Sequence, residues 1–244
     1  LKRQRVTELS AMRAAPPEAD SIDTIPTSTG GLLTITREDG LKLYDLLVEI
    51  KPFLEKRLPG LKIIDSADIA LMNFVRSSYQ LQDEEISVIA YVGNEFTRLI
   101  FMQGSNYLHF APIISEGYNS PNIENTLYSR ILLEQDNIAL ARIDRILLAG
   151  AGHKVNLREA LALQFSSAAV EYITSTEVDL SAFEGSVGET LSEYAIPIAS
   201  AWRTLQPTHA GFYDINLMPN AILEEQKAFK LAWHGWVLAI LSMV

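Results

Sequence analysis

Hydrophobic and polar positions are most regularly ordered between Ser87 and Ile113, SVIAYVGNEFTRLIFMQGSNYLHFAPI. Two breaks interrupt this apolar stretch, Val92-Gly93-Asn94-Glu95 and Gly104-Ser105-Asn106. Between them Thr97, Leu99, Phe101 and Gln103 alternate with Arg98, Ile100 and Met102. A period of two, carried by β-branched and aromatic residues and broken by glycine, predicts three mostly buried strands in a meander. A strand that ends in a small-residue turn and doubles back can aim backbone N–H groups at a phosphate; it can equally be an ordinary meander.

The flanking pattern predicts a mixed α/β chain. Leu1–Ala15 has helical spacing through Val6, Leu9 and Met12 and stops at Pro16-Pro17, and residues 16–31 read as a polar linker. Leu32–Thr36 is a predicted strand, and Arg37-Glu38-Asp39 leads into a helix with Leu41, Tyr44, Leu47, Val48 and Ile50 on its apolar side. Leu61–Ile64 is a predicted strand, and Ser66 or Asp68 can cap a helix over Ile69–Ser77. Together these give a β-α-β-α module over residues 32–85 with a parallel sheet as the expected outcome.

Beyond the meander a helix is expected over Ile123–Glu134 and a buried strand over Asp144–Ala149 that ends in Gly150-Ala151-Gly152. A helix over Asn156–Gln164 and a strand over Val170–Ile173 follow. Glu189–Leu205 is helical with a kink or a late start at Pro197, so the second structural part spans residues 86–205. Residues 206–230 form a linker that carries Ile215-Asn216-Leu217-Met218-Pro219, with a polar helical stretch up to Lys230.

From Leu231 to Val244 only His234 and Ser242 are polar. A helix of this length covers roughly 20 Å, short of a bilayer span. Trp233 and Trp236, with Lys227 and Lys230 just ahead, favour the start of a membrane-spanning helix over a core helix. The chain opens on Leu1 and closes on Val244 within this apolar run, which reads as a piece of a longer sequence, and its first 30 residues hold no secretory leader.

Composition narrows the chemistry. A formal charge of −10 over 244 residues argues against a nucleic-acid partner, because binding a phosphate backbone needs a concentrated basic surface. The one basic cluster, Lys2-Arg3-Arg5, reads as a solvated helix face. With no cysteine, disulfides, thiolate metal sites and cysteine nucleophiles are excluded, and a reducing cytoplasmic setting fits. His109, His153, His209 and His234 have no metal-ligand spacing, so no metal site is assigned.

The order of hairpin, helix, strand with a glycine loop and late helix resembles the second half of an actin-like ATPase (ribonuclease H-like) domain. It resembles most the PilM family of type IV pilus assembly. The residues that carry this resemblance are Leu61-Lys62-Ile63-Ile64-Asp65-Ser66-Ala67-Asp68-Ile69-Ala70-Leu71, the meander, Ile146–Gly152, and Ile198-Ala199-Ser200-Ala201-Trp202-Arg203. Ile215–Pro219 ahead of an apolar run is similar to the start of PilN-family proteins, the membrane partners of PilM. The same order of parts is also similar to the GspL family of type II secretion.

The resemblance implies that Gly93, Asn94 and Thr97 at the first hairpin turn, with Gly150 and Gly152 at the second loop, stand where the family binds nucleotide. Tyr91 occupies the place where the family usually has an aspartate that orients magnesium or its waters. The family's other phosphate hairpin is not found. Gly150-Ala151-Gly152 also has a purely geometric reading, since strand-to-helix turns favour glycine, and it is not a dinucleotide fingerprint. Asp65 and Asp68 read as turn and cap residues rather than a catalytic pair.

The expected function is a non-catalytic scaffold at the cytoplasmic face of the bacterial inner membrane, a fimbrial-assembly or secretion platform component without enzymatic activity. No cofactor is expected of it. Its partners would be platform proteins, the membrane through a single C-terminal helix, and a further copy of itself. Ile215, Asn216, Leu217 and Pro219 would form the partner-binding segment, an extended peptide with Ile215 and Leu217 as anchors. The alternatives are a working actin-like ATPase that holds magnesium-ATP on Gly93, Asn94, Thr97, Gly150 and Gly152, and a membrane-tethered α/β module unrelated to pili.

Overall fold

The meander forms as expected in the computed structural model, which describes residues 22–27, 31–37, 42–53, 60–179 and 187–242. In chain order the first elements are β1 (Ile22–Pro26), β2 (Leu32–Thr36), α1 (Lys42–Ile50, extended by a 3-10 turn over Lys51–Phe53) and α2 (Ala67–Ser78). Next come β3 (Ile86–Val92), β4 (Thr97–Gln103), β5 (Asn106–Phe110), α3 (Ile123–Asn137) and β6 (Arg145–Gly150). A 3-10 turn (Gly152–Val155), α4 (Leu157–Gln164), β7 (Ala169–Tyr172), α5 (Val187–Glu193), α6 (Ala195–Leu205) and α7 (Asn220–Leu241) complete them. The chain divides into two units: Leu1–Pro26, Leu32–Asp65 and Asp214–Val244 make the first, and Thr27–Gly31 and Ser66–Tyr213 the second.

The second unit is built on one five-stranded sheet in the order β5-β4-β3-β6-β7. β3, β4 and β5 pair antiparallel, with a bulge at Leu108 of β5, opposite Phe101 and Met102 of β4. β6 joins β3 in parallel from Ser87↔Arg145 to Val92↔Gly150, and β7 joins β6 in parallel. Parallel neighbours need a crossover, which α3 and α4 provide. Successive strand residues point to opposite faces. Val88, Ala90, Leu99, Phe101, Ile146 and Leu148 therefore share one core with Ile123, Leu127 and Ile131 of α3 and Leu157 and Leu161 of α4. Ile89, Ile100, Met102 and Leu147, at the alternate positions, are equally buried. A sheet covered on both faces explains why β3 and β4 read as nearly continuous apolar runs.

α2 and α6 pack on one another, with Phe74 edge-on to Trp202 at 6.1 Å. Ser66 is the N-cap residue of α2 but makes no side-chain cap bond, and Asp68 pairs with Arg98 of β4. α5 and α6 are separated at Tyr194, which puts Pro197 in the first turn of α6, where a missing N–H costs no helical bond. The late start expected at Pro197 is thus what forms.

The first unit departs from the sequence expectation in several places. Residues 22–26, where the composition predicts a linker, form β1, antiparallel to β2 from Ile22↔Thr36 to Pro26↔Leu32, with Ile22 and Ile25 buried. Leu61–Ile64 joins no sheet, and the expected parallel β-α-β-α sheet is replaced by the β1–β2 hairpin among the described residues. Val48 and Ile50 of α1 are exposed rather than core-facing. α7 is continuous from Asn220 to Leu241 with no break at Lys230, and among the described residues no helix is long and apolar enough to cross a membrane. The helix expected over Leu1–Ala15 lies outside the described residues.

Tyr79, just after α2, ties the second unit together. Its hydroxyl accepts the Thr174 N–H at 2.9 Å, and the Arg145 guanidinium lies 5.6 Å from its ring centre. Arg145 in turn donates to Glu85 at 2.8 Å and Glu171 at 2.6 Å. Burial pushes the Tyr79 phenol up to about 12, against the Thr174 bond and the Arg145 charge, which pull it down. The unfolded phenol ionises near pH 10, so this stabilisation is complete below that value and is lost as pH rises toward about 12. Tyr79→Phe should therefore remove up to about 2–3 kcal/mol of the alkaline loss of stability, measured by urea unfolding at about pH 9 and about pH 11.5. An unchanged alkaline slope in the variant would contradict this role.

Candidate functional site

The two loops that the sequence assigns to nucleotide lie at the ends of paired strands in the second unit. Val92 ends β3 opposite Gly150 of β6, so the hairpin turn after Val92 and the glycine loop after Gly150 leave the same end of the sheet. The structure thus brings Gly93, Asn94, Thr97, Gly150 and Gly152 to one end of it.

At the first loop the polar groups are used within the chain. The Gly93 N–H donates to the Phe96 carbonyl at 2.9 Å, and the Gly93 carbonyl accepts the Tyr118 N–H at 3.0 Å. Thr97 is fully buried, and its hydroxyl donates to the Glu116 carbonyl at 2.8 Å. Its backbone exchanges two bonds with Ile114, 2.8 Å and 3.0 Å. Asn94 is exposed, and its side-chain oxygen accepts a bond from the Asn119 amide. The stretch 114–119 lies close over the turn: a Cβ on Gly117 would sit 2.4 Å from the Gly93 oxygen. The Tyr91 ring lies 6.0 Å from that of Phe96.

The second loop is closed in the same way. Gly150 has φ +78°. A Cβ there would lie 2.3 Å from the Val92 oxygen, which the Ala151 N–H already holds at 2.8 Å. The Gly150 carbonyl accepts the buried Ser192 hydroxyl at 3.2 Å. Gly152 has no such constraint, since the closest atom to its Cβ position is Leu157 Cδ1 at 3.4 Å. Lys154, two residues on, donates to Glu193 at 2.9 Å and lies 5.1 Å from the Tyr118 ring centre. That hydrogen bond raises the Lys154 amine and lowers the Glu193 carboxyl from their ordinary values. A phosphate needs outward-facing N–H groups and hydroxyls, and those of Gly93 and Thr97 are engaged, so these residues do not fit it.

A second constellation lies in the first unit. Ile215 and Leu217 are buried on either side of exposed Asn216, the alternation of an extended segment, and Met218 after them is buried too. The Leu217 N–H donates to the Ile64 carbonyl at 2.9 Å. The Asn216 side-chain oxygen accepts the Ile64 N–H at 3.2 Å and the Met218 N–H at 3.1 Å, and its amide donates to the Lys62 carbonyl at 3.5 Å. Asp23 accepts the Asn216 N–H at 3.0 Å, and the Arg37 guanidinium donates to the Leu217 carbonyl. Pro219 is the N-cap residue of α7. Burying Ile215 and Leu217 is worth about 1.5–3 kcal/mol each, so the apolar anchors outweigh the exposed hydrogen bonds.

Asp23 and Arg37 were missed as members of this set. Asp23 lies in a stretch whose composition predicts a linker, and the only mark of a strand in the sequence there is the β-branched set Ile22, Thr24 and Ile25. Arg37 was read as the approach to a helix.

Gly150→Ala should lower stability by about 3 kcal/mol or more, through its positive φ and the Val92 oxygen, while Gly152→Ala stays within about 1 kcal/mol of the parent. Urea unfolding of both variants checks this, and equal losses would contradict the different roles of the two glycines.

No protein-family model matches the chain, and no curated protein matches it. Among solved structures it is similar to a PilM-PilN type IV pilus biogenesis complex, with TM-score 0.54 and 16% identity over 84% of this chain and 73% of that one. A Bacteroides thetaiotaomicron protein of actin-like ATPase fold and unknown function has TM-score 0.44 and 13% identity over 70% of this chain and 61% of that one. The apo psk41 ParM protein has TM-score 0.29 and 15% identity over 55% and 50%. The mixed α/β fold is thus similar to that of the PilM-PilN complex, the likeness expected from the residues.

Proposed function

We propose that the chain is a non-catalytic, membrane-tethered scaffold of a type IV pilus, or type II secretion, inner-membrane assembly platform. It would join cytoplasmic to periplasmic components without hydrolysing nucleotide. The observation that carries this reading is the internal use of the Gly93 N–H and the Thr97 hydroxyl. A loop whose donors hold its own fold has a structural task. Likeness in fold to the PilM-PilN complex supports the pilus setting.

In this reading Ile215–Pro219 is the partner-binding segment, presented to the Lys62–Ile64 stretch and to Asp23 and Arg37 of this chain or of another copy. Beyond it, α7 ends in the exposed apolar residues Trp236, Leu238, Ile240 and Leu241. An apolar helix end exposed on several sides suits lipid better than a single partner face, and it is the membrane tether of the scaffold.

The test is made in the native cell with full-length variants. Leu217→Asp buries a charge among apolar anchors and should abolish surface pili or secretion, with faster chymotryptic cleavage around Phe212–Leu217 and an otherwise cooperative unfolding transition. Asn94→Ala, at the exposed turn, should leave assembly at the parental level. Assembly lost with Asn94→Ala, or unchanged cleavage with Leu217→Asp, would overturn the reading.

A further inference from the structure

α6 turns outward a face that carries no charge. Tyr194, Pro197, Ala201 and Leu205 are exposed, Tyr194 at 55% and Leu205 at 81%, and Ile198 and Trp202 among them are half-buried. Spacings of three and four residues put all six on one side of the helix, over about 16 Å. Arg203 is the one charged residue from Tyr194 to Gln206, and it lies on the other side, buried with Ala195 and Ala199. Glu193, just ahead of this stretch, is held by Lys154. Trp202 is fixed in place: Phe74 at 6.1 Å and Phe212 at 5.6 Å stand edge-on to it, and its indole N–H donates to Gln206 at 3.0 Å.

We infer that this face is where a second copy of the chain docks, through a two-fold, antiparallel pairing of α6 with itself. Charge selects that occupant. Two copies at −10 each repel one another, and a two-fold contact lays a patch on its own likeness, so a net charge there would meet itself. An uncharged face removes that repulsion where the copies touch. The order of side chains is self-complementary as well. With the axis between Ala199 and Ser200, Ile198 meets the small Ala201 of the other copy, Pro197 meets the flat ring of its Trp202, and Tyr194 meets its Leu205. A preset Trp202 loses little freedom on docking. An anionic lipid surface fits less well, since a helix that lies on one carries Lys or Arg along its polar side and α6 has none there. Six residues a side is well below the roughly 20–30 of a standard interface, so the pairing is weak and depends on concentration.

The chain has no native cysteine, so a single introduced thiol reports one place on the surface. Full-length protein carrying Ala201→Cys is treated with a short bismaleimide over a concentration series and sized by mass spectrometry. Leu163→Cys, at a residue 84% exposed on α4, is the control for random encounter. The expected product is a covalent dimer from Ala201→Cys at concentrations where Leu163→Cys stays monomeric. Adding Leu205→Asp, which puts like charges into an apolar seam, should lower that yield about tenfold, while Leu205→Met keeps it. Equal yields from the two thiols, no dimer from either, or a yield that Leu205→Asp leaves unchanged would overturn the inference. So would binding of the parent chain to phosphatidylcholine vesicles that Leu205→Asp abolishes, which would assign the face to lipid. None of these outcomes depends on pilus assembly, so the inference can fail while the scaffold reading stands.

Discussion

The carbonyl oxygen of Val92 is the point on which the second unit closes. It ends β3, accepts the Ala151 N–H, and stands so near Gly150 that no side chain fits there. The parallel β3–β6 pairing runs to this residue pair, and β6 is the strand on which β7 pairs. The Gly150 carbonyl then takes the Ser192 hydroxyl from α5, so one backbone contact sets the end of the sheet and the seat of a helix. Glycine is required here because φ is positive and the facing atom is backbone, which cannot move aside.

That closure bears on chemistry. Loops that hold phosphate keep their N–H groups and hydroxyls turned outward, toward charge that has yet to arrive. In this chain the Thr97 hydroxyl is buried on a carbonyl and the Gly93 N–H completes its own turn. Releasing the Thr97 hydroxyl would leave a buried polar group unpaired, at about 1–3 kcal/mol. The same residue types that resemble a nucleotide site are, by their partners, fasteners of a fold. The first unit shows the converse: an Asn216 side chain bonding like a backbone places an extended segment against Lys62–Ile64.

What the sequence made legible follows from how strongly local pattern reports burial. β3, β4 and β6 are readable because both faces of the sheet are covered there, and continuous β-branched runs have few other solutions. The glycine loop was readable in place but not in role, because the partner of a backbone N–H leaves no mark on residue type. β1 was missed since Pro26 and the Thr-Ser-Gly context outweighed two isoleucines. Leu61–Ile64 has strand composition, yet its partner is the segment at Asn216–Leu217, over 150 residues away, bonded partly through a side chain. Val48 and Ile50 of α1 belong to the predicted apolar side yet are exposed, because periodicity shows that a face is apolar, not what covers it.

Calorimetric titration of magnesium-ATP into the folded full-length protein tests the central claim most directly. If the Gly93 and Gly150 loops are closed by their own hydrogen bonds, no binding heat develops at micromolar to millimolar nucleotide. A saturable heat with Kd of micromolar order, about −8 kcal/mol, that is abolished by Asn94→Ala would contradict it and return the chain to the working ATPases.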